Sequence, residues 1–125
     1  MNVVDSSGWL EFFAADRNAE YFAPVVCNVP ELIVPSVTLY EVFKKVHQQR
    51  GEQEALAAVG MMMKGLVIPL GETIALSAAR LSLALSLPMA DSIILATTRM
   101  LDAILWTQDK HFEGLEGVRY FPKSA

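Results

Sequence analysis

Short apolar runs alternate along this chain with longer stretches whose apolar positions fall three and four residues apart. The short runs suit strands buried in a parallel sheet, and the wider spacing suits helices packed on it. The pattern predicts a first strand over residues 2–4, closed by Asp5, with Ser6 and Ser7 as N-caps for a helix over Gly8 to Ala15. It predicts a helix over 18–27, a strand over 31–34 stopped by Pro35, and a helix over 37–50 capped by Ser36 and ended by Gly51. A helix over 52–64 is then expected, and the segment between Gly65 and Gly71 reads as a buried strand. Two more helices follow, over 72–85 and from Pro88 to about Leu101, with final strands over 103–107 and 118–122. A parallel crossover needs a helix to bring the chain back, so the alternation predicts an α/β fold: three layers, α/β/α, around a central parallel sheet of four or five strands.

Composition narrows this picture. A chain of 125 residues is the size of one compact domain, expected here over 1–125, and 53% hydrophobic against 19% charged residues excludes disorder. The net charge of −4 carries no general nucleic-acid footprint, so an RNA partner would be held by a local patch. The run Lys44 to Arg50 is one candidate for such phosphate contacts and equally well a solvated helix face. The lone Cys27 reads as core packing in a reducing cytoplasm. The N-terminus lacks the pattern of a signal peptide, and the most apolar stretch is broken by Arg80 and Pro88, so no membrane span is expected. Three consecutive methionines, Met61 to Met63, cannot all face one core, and with Trp9, Phe12 and Phe13 they suggest an apolar groove or dimer face. Core packing is the alternative, and the stronger one for the aromatic trio.

Four carboxylates stand where chemistry is expected. Ligand sites of open parallel sheets lie beyond the carboxyl ends of the strands. Asp5 ends the first strand, Asp109 follows the strand over 103–107, and Asp91 opens a helix whose N-terminus belongs near the same rim. Glu41, in the second turn of its helix, reaches that rim only if the helix is suitably tilted. Each has an ordinary explanation: Asp5 and Asp91 as helix caps, Glu41 as a partner of Lys44 or Lys45, Asp109 as a turn residue. Together they predict a site whose mutual repulsion needs a divalent cation, and oxygen donors suit Mg²⁺ or Mn²⁺. Crowding of like charges should raise their pKa values in the metal-free protein. Zinc is disfavoured because Cys27, His47 and His111 show no ligand spacing, and nothing in the sequence brings the two histidines together for metal-free acid–base cleavage. Asp16, Asp102 and Glu113 fit loops or solvated faces better.

The stretches VVDSSGWLEFF, PSVTLYEVFKK, LPMADSIILATTR and ILWTQDKHFEGLEGVRYF, taken in this order, resemble the motifs of PIN-domain ribonucleases, specifically VapC-like toxins of type II toxin–antitoxin pairs. The resemblance covers nearly the whole chain. It implies an endoribonuclease dependent on Mg²⁺ or Mn²⁺, with acidic residues Asp5, Glu41, Asp91 and Asp109 and with Thr107 as the hydroxyl that accompanies the last of them. Of these, Asp5, Asp91 and Asp109 are the expected metal ligands, Asp109 directly or through water, and Glu41 a ligand or water-orienter. Thr98 and Asp102 depart from the family's usual choices without touching an acidic motif. The implied partners are an RNA substrate and a cognate antitoxin that covers the apolar groove and blocks the site, while the apolar residues themselves suggest a second copy in a homodimer. The alternative is a PIN-like module that binds RNA or protein without cleaving.

Overall fold

The computed structural model describes residues 1–123. Five parallel strands run in the order β3-β2-β1-β4-β5: β1 is Asn2–Val4, β2 Leu32–Pro35, β3 Leu66–Ile68, β4 Ile104–Thr107 and β5 Val118–Tyr120. Six helices connect them: α1 (Ser6–Ala14), α2 (Ala19–Val26), α3 (Ser36–Arg50), α4 (Glu52–Met62), α5 (Glu72–Leu85) and α6 (Met89–Met100). The three-layer α/β/α architecture follows from the alternation of side chains along the central strands. Val4, Leu32 and Val34 pack with Trp9, Phe22, Val42 and Met62 from α1 to α4. Val3, Ile33 and Leu105 point the other way, onto Ile94 and Leu95 of α6. No single helix among the described residues is long and apolar enough to cross a membrane.

Strand order places the site. The chain leaves β1 toward β2 on one side and later returns to β4 on the other, so the order of strand addition reverses between β1 and β4, the switch point beyond whose strand ends a parallel sheet holds its ligands. Val4 pairs with Trp106, which puts Asp5 and Thr107 side by side as each strand ends.

Several local readings change. Asp5, not Ser6 or Ser7, caps α1, its carboxylate accepting from Gly8 N at 3.0 Å, while both serines sit in the first helical turn. Ser36 is likewise the first residue of α3 rather than its cap. The segment expected as a buried strand forms β3 over Leu66–Ile68, at the sheet edge, with Leu66 exposed. An edge strand is covered on one side only, so its apolar run does not measure burial. Cys27, expected in the core, is exposed, because it lies just past the end of α2. Trp9 is fully buried, whereas Phe12 and Phe13 are half-buried against the core, so only the first of the aromatic trio is interior. The methionines divide, Met62 buried and Met63 exposed.

Candidate active site

Asp5 is fixed on every side. Ser7 Oγ donates to both of its carboxylate oxygens at 2.8 and 2.9 Å, and Thr107 Oγ1 donates to Oδ2 at 2.7 Å. Thr107 in turn accepts from Asp109 N at 2.9 Å, tying the end of β4 to the next acid. Asp109 opens a 3-10 turn over Lys110–Phe112, and its Oδ1 accepts from His111 N at 2.9 Å. That turn swings the His111 ring back, so that Nδ1 lies 2.9 Å from Asp91 Oδ2 and 3.1 Å from Asp109 Oδ1. Asp91 sits in the first turn of α6, three residues after Pro88. Glu41 joins the rim from α3 through a short hydrogen bond from Ser6 Oγ to Oε1, and its charge is felt at Asp91.

The four sequence-selected acids therefore occupy one rim at the ends of β1 and β4. Their ordinary roles are also filled in part: Asp5 caps α1, and Asp109 bonds its own turn. The tightest grouping is Asp91, Asp109 and His111, whose ligand atoms all lie within 4.8 Å of one another. Asp5 and Glu41 border it through Thr107 and Ser6. Two partly buried carboxylates converging on an imidazole nitrogen make a donor set that fits a divalent cation.

Electrostatics mark two of the acids. Asp5 is raised from 3.8 to about 7, chiefly by burial and also by the charge of Asp109, against the lowering effect of its Thr107, Gly8 and Ser7 hydrogen bonds. Asp91 is raised from 3.8 to about 6, again first by burial and then by Asp109 and Glu41, while His111 pulls it down. The expected rise is present, but its main cause is desolvation rather than crowding of like charges.

Sequence reading missed His111, which is an integral part of the rim; His47, by contrast, sits far along α3, 3.5 Å from Glu52. The available signal was its place two residues after Asp109, invisible without the 3-10 turn. Also missed was a buried amide network behind the rim. Asn18 Nδ2 donates to Gln108 Oε1 and to the Pro122 carbonyl, each at 3.0 Å, and Gln108 Nε2 donates to Glu11 Oε1 at 3.0 Å. It locks the loop carrying Asp109 to α1 and to the chain beyond β5.

Two concavities adjoin these elements. A cleft of about 520 Å³ opens from Ser7 and Gln108 along α1 toward Lys45, Gln49 and Arg50. The basic run on α3 is thus split: Lys45 and Arg50 face this cleft, whereas Lys44 lies over the Tyr40 ring. A second groove of about 570 Å³, between α3 and α4, is lined by Leu39, Tyr40, Phe43, Val59 and Met63.

A protein-family model described as the PIN domain matches residues 3–118. No curated protein matches the chain. Among solved structures, a toxin–antitoxin complex from Klebsiella pneumoniae is similar with a TM-score of 0.81 at 23% identity, covering 98% of this chain and 100% of that one. VapC20 of Mycobacterium tuberculosis, a toxin cleaving the sarcin–ricin loop, gives 0.77 at 18% identity over 95% of this chain and 99% of its own. DNA-bound VapBC from Salmonella typhimurium gives 0.73 at 17% identity, covering 97% and 96%. At these identities the likeness concerns the fold.

Proposed function

The chain belongs to the PIN-domain family, and from that premise we propose that it is a metal-dependent endoribonuclease, a single domain over 1–125 serving as the toxin of a toxin–antitoxin pair in the cytoplasm. The observation that carries this reading is the convergence of Asp5, Glu41, Asp91 and Asp109 on one rim at the sheet's switch point, with two of the carboxyls displaced toward neutrality. Buried acids in a crevice whose chemistry favours a cation are the signature of a working site.

Asp5, Asp91 and Asp109 would hold Mg²⁺ or Mn²⁺. Bound there, the ion supplies a water of lowered pKa and positive charge for the leaving oxygen. Thr107 keeps Asp5 and Asp109 in register, and Ser6 steadies Glu41, which aims the attacking water or adds a ligand. Lys45, on the cleft that starts at Ser7, contacts a phosphate of the bound RNA. The neighbours described as toxin–antitoxin complexes support a protein partner, and the apolar groove beside Met63 suits an antitoxin segment. The free toxin pairs as a homodimer.

Purified protein incubated with RNA tests the reading. Cleavage is expected with Mg²⁺ or Mn²⁺, abolished by chelation, and reduced by orders of magnitude in Asp91→Asn. Binding of RNA without any cleavage, in native protein supplied with metal, would instead identify a binding module.

A further inference from the structure

The donor set at the rim is not all oxygen. His111 Nδ1 stands 2.9 Å from Asp91 Oδ2 and 3.1 Å from Asp109 Oδ1. Those separations equal the edge between neighbouring ligands of an octahedral ion, about 3 Å when each ligand lies about 2.1 Å from the metal. The nitrogen is held there by construction. The 3-10 turn after Asp109 fixes the His111 backbone through its N–H on Asp109 Oδ1, and the ring folds over the same oxygen. Imidazole is also a softer donor than carboxylate, favouring first-row transition ions over Mg²⁺.

We propose that His111 is a direct nitrogen ligand of the active-site cation and sets its selectivity for Mn²⁺ over Mg²⁺. The proposal rests on the reading of this rim as a divalent-cation site. It predicts that Mg²⁺, which prefers oxygen and keeps its waters, binds with fewer protein ligands than Mn²⁺ does. His111 is 55% exposed at its side chain, so an ion can reach the nitrogen from solvent.

Metal binding to the isolated protein tests this without recourse to activity. Mn²⁺ and Mg²⁺ affinities are measured calorimetrically for native protein, His111→Asn and His111→Asp, and pulsed EPR of bound Mn²⁺ reads nitrogen coupling. Native protein should show ¹⁴N coupling to Mn²⁺ and bind Mn²⁺ more tightly than Mg²⁺. The coupling should vanish in both variants, and the ratio of Mn²⁺ to Mg²⁺ affinity should fall by about tenfold. His111→Asn should leave Mg²⁺ affinity close to native, and His111→Asp, which adds an oxygen donor, should bind Mg²⁺ more tightly than His111→Asn does. Bound Mn²⁺ without nitrogen coupling, or an unchanged affinity ratio in both variants, would overturn the proposal while leaving the metal site standing. Failure of native protein to bind either ion at all would overturn the site and the proposal together.

Discussion

Asp5 is at once a helix cap, a hydrogen-bond hub and a carboxyl raised to about 7. Its unfolded counterpart titrates near 3.8, so the folded, metal-free protein keeps a proton that the unfolded chain gives up. The stability this contributes is complete below about pH 4 and is lost as pH rises through about 7. Asp91, raised to about 6, acts in the same direction. Metal-free protein should therefore be less stable at pH 8 than at pH 5, by on the order of 3 kcal/mol, and melt at a correspondingly lower temperature, and Asp5→Asn should flatten that profile. Identical pH profiles for the two proteins would show that Asp5 is not strained by its burial.

The same substitution separates cap from ligand. Asn caps a helix about as well as Asp, yet is a far poorer ligand for a hard cation. Placing an amide NH₂ against Thr107 removes one acceptor for its hydroxyl, so at pH 5, where the native carboxyl keeps its proton, the expected stability of the metal-free Asn variant is near native rather than clearly higher. In Asp5→Asn and Asp91→Asn, the rise in Tm on adding Mn²⁺ should shrink to a small fraction of the native value. Undiminished stabilisation by Mn²⁺ in both variants would refute the ligand assignment.

At the scale of elements, the site depends on how closely α1 approaches the sheet. A Cβ at Gly8 would lie 2.6 Å from Val4 Cγ1 and 2.8 Å from Phe22 Cε1, so only glycine lets the first turn of α1 settle onto β1. The Gly8 amide is also the group that Asp5 caps. Gly8→Ala should push α1 outward, cost about 1–3 kcal/mol and weaken metal binding through Asp5, although Gly8 touches no ion. Thermal melts and Mn²⁺ titration check both effects; a stable variant with native affinity would contradict the coupling.

These elements also explain what the sequence made legible. The ends of β1 and β4 could be read because each apolar run stops just short of an Asp or two residues before one, and parallel topology then fixes the rim. Glu41 was the uncertain member, and the Ser6 contact from a different helix settles its position. His111, Asn18 and Gln108 were not legible, because their roles depend on a 3-10 turn and on contacts between residues some ninety positions apart. Cys27 and β3 misled for a related reason: hydropathy reports what a residue prefers, not which side of an element meets solvent.

For the whole molecule, the rim and the groove between α3 and α4 are linked by α3, which carries Glu41 on one side and Leu39, Tyr40 and Phe43 toward the other. An antitoxin segment lying in that groove is thus well placed to reach the site. Hydrogen exchange should slow around Met61 to Met63 on adding the cognate partner, and light scattering should find the free protein as a dimer. Unchanged exchange over α3 and α4 would move the partner elsewhere.

The central claim is that a cation held by the rim carboxylates delivers water to an RNA phosphodiester. Attack by water leaves ordinary phosphate and hydroxyl ends, whereas attack by the neighbouring 2′-hydroxyl leaves a 2′,3′-cyclic phosphate and needs no such ion. The most direct measurement is end-group analysis of RNA fragments made by native protein with Mg²⁺ or Mn²⁺, run beside Asp91→Asn and chelated controls. The account predicts fragments free of cyclic phosphate, formed only with metal and only by the native rim. Cyclic phosphate ends, or equal cleavage after chelation, would contradict it.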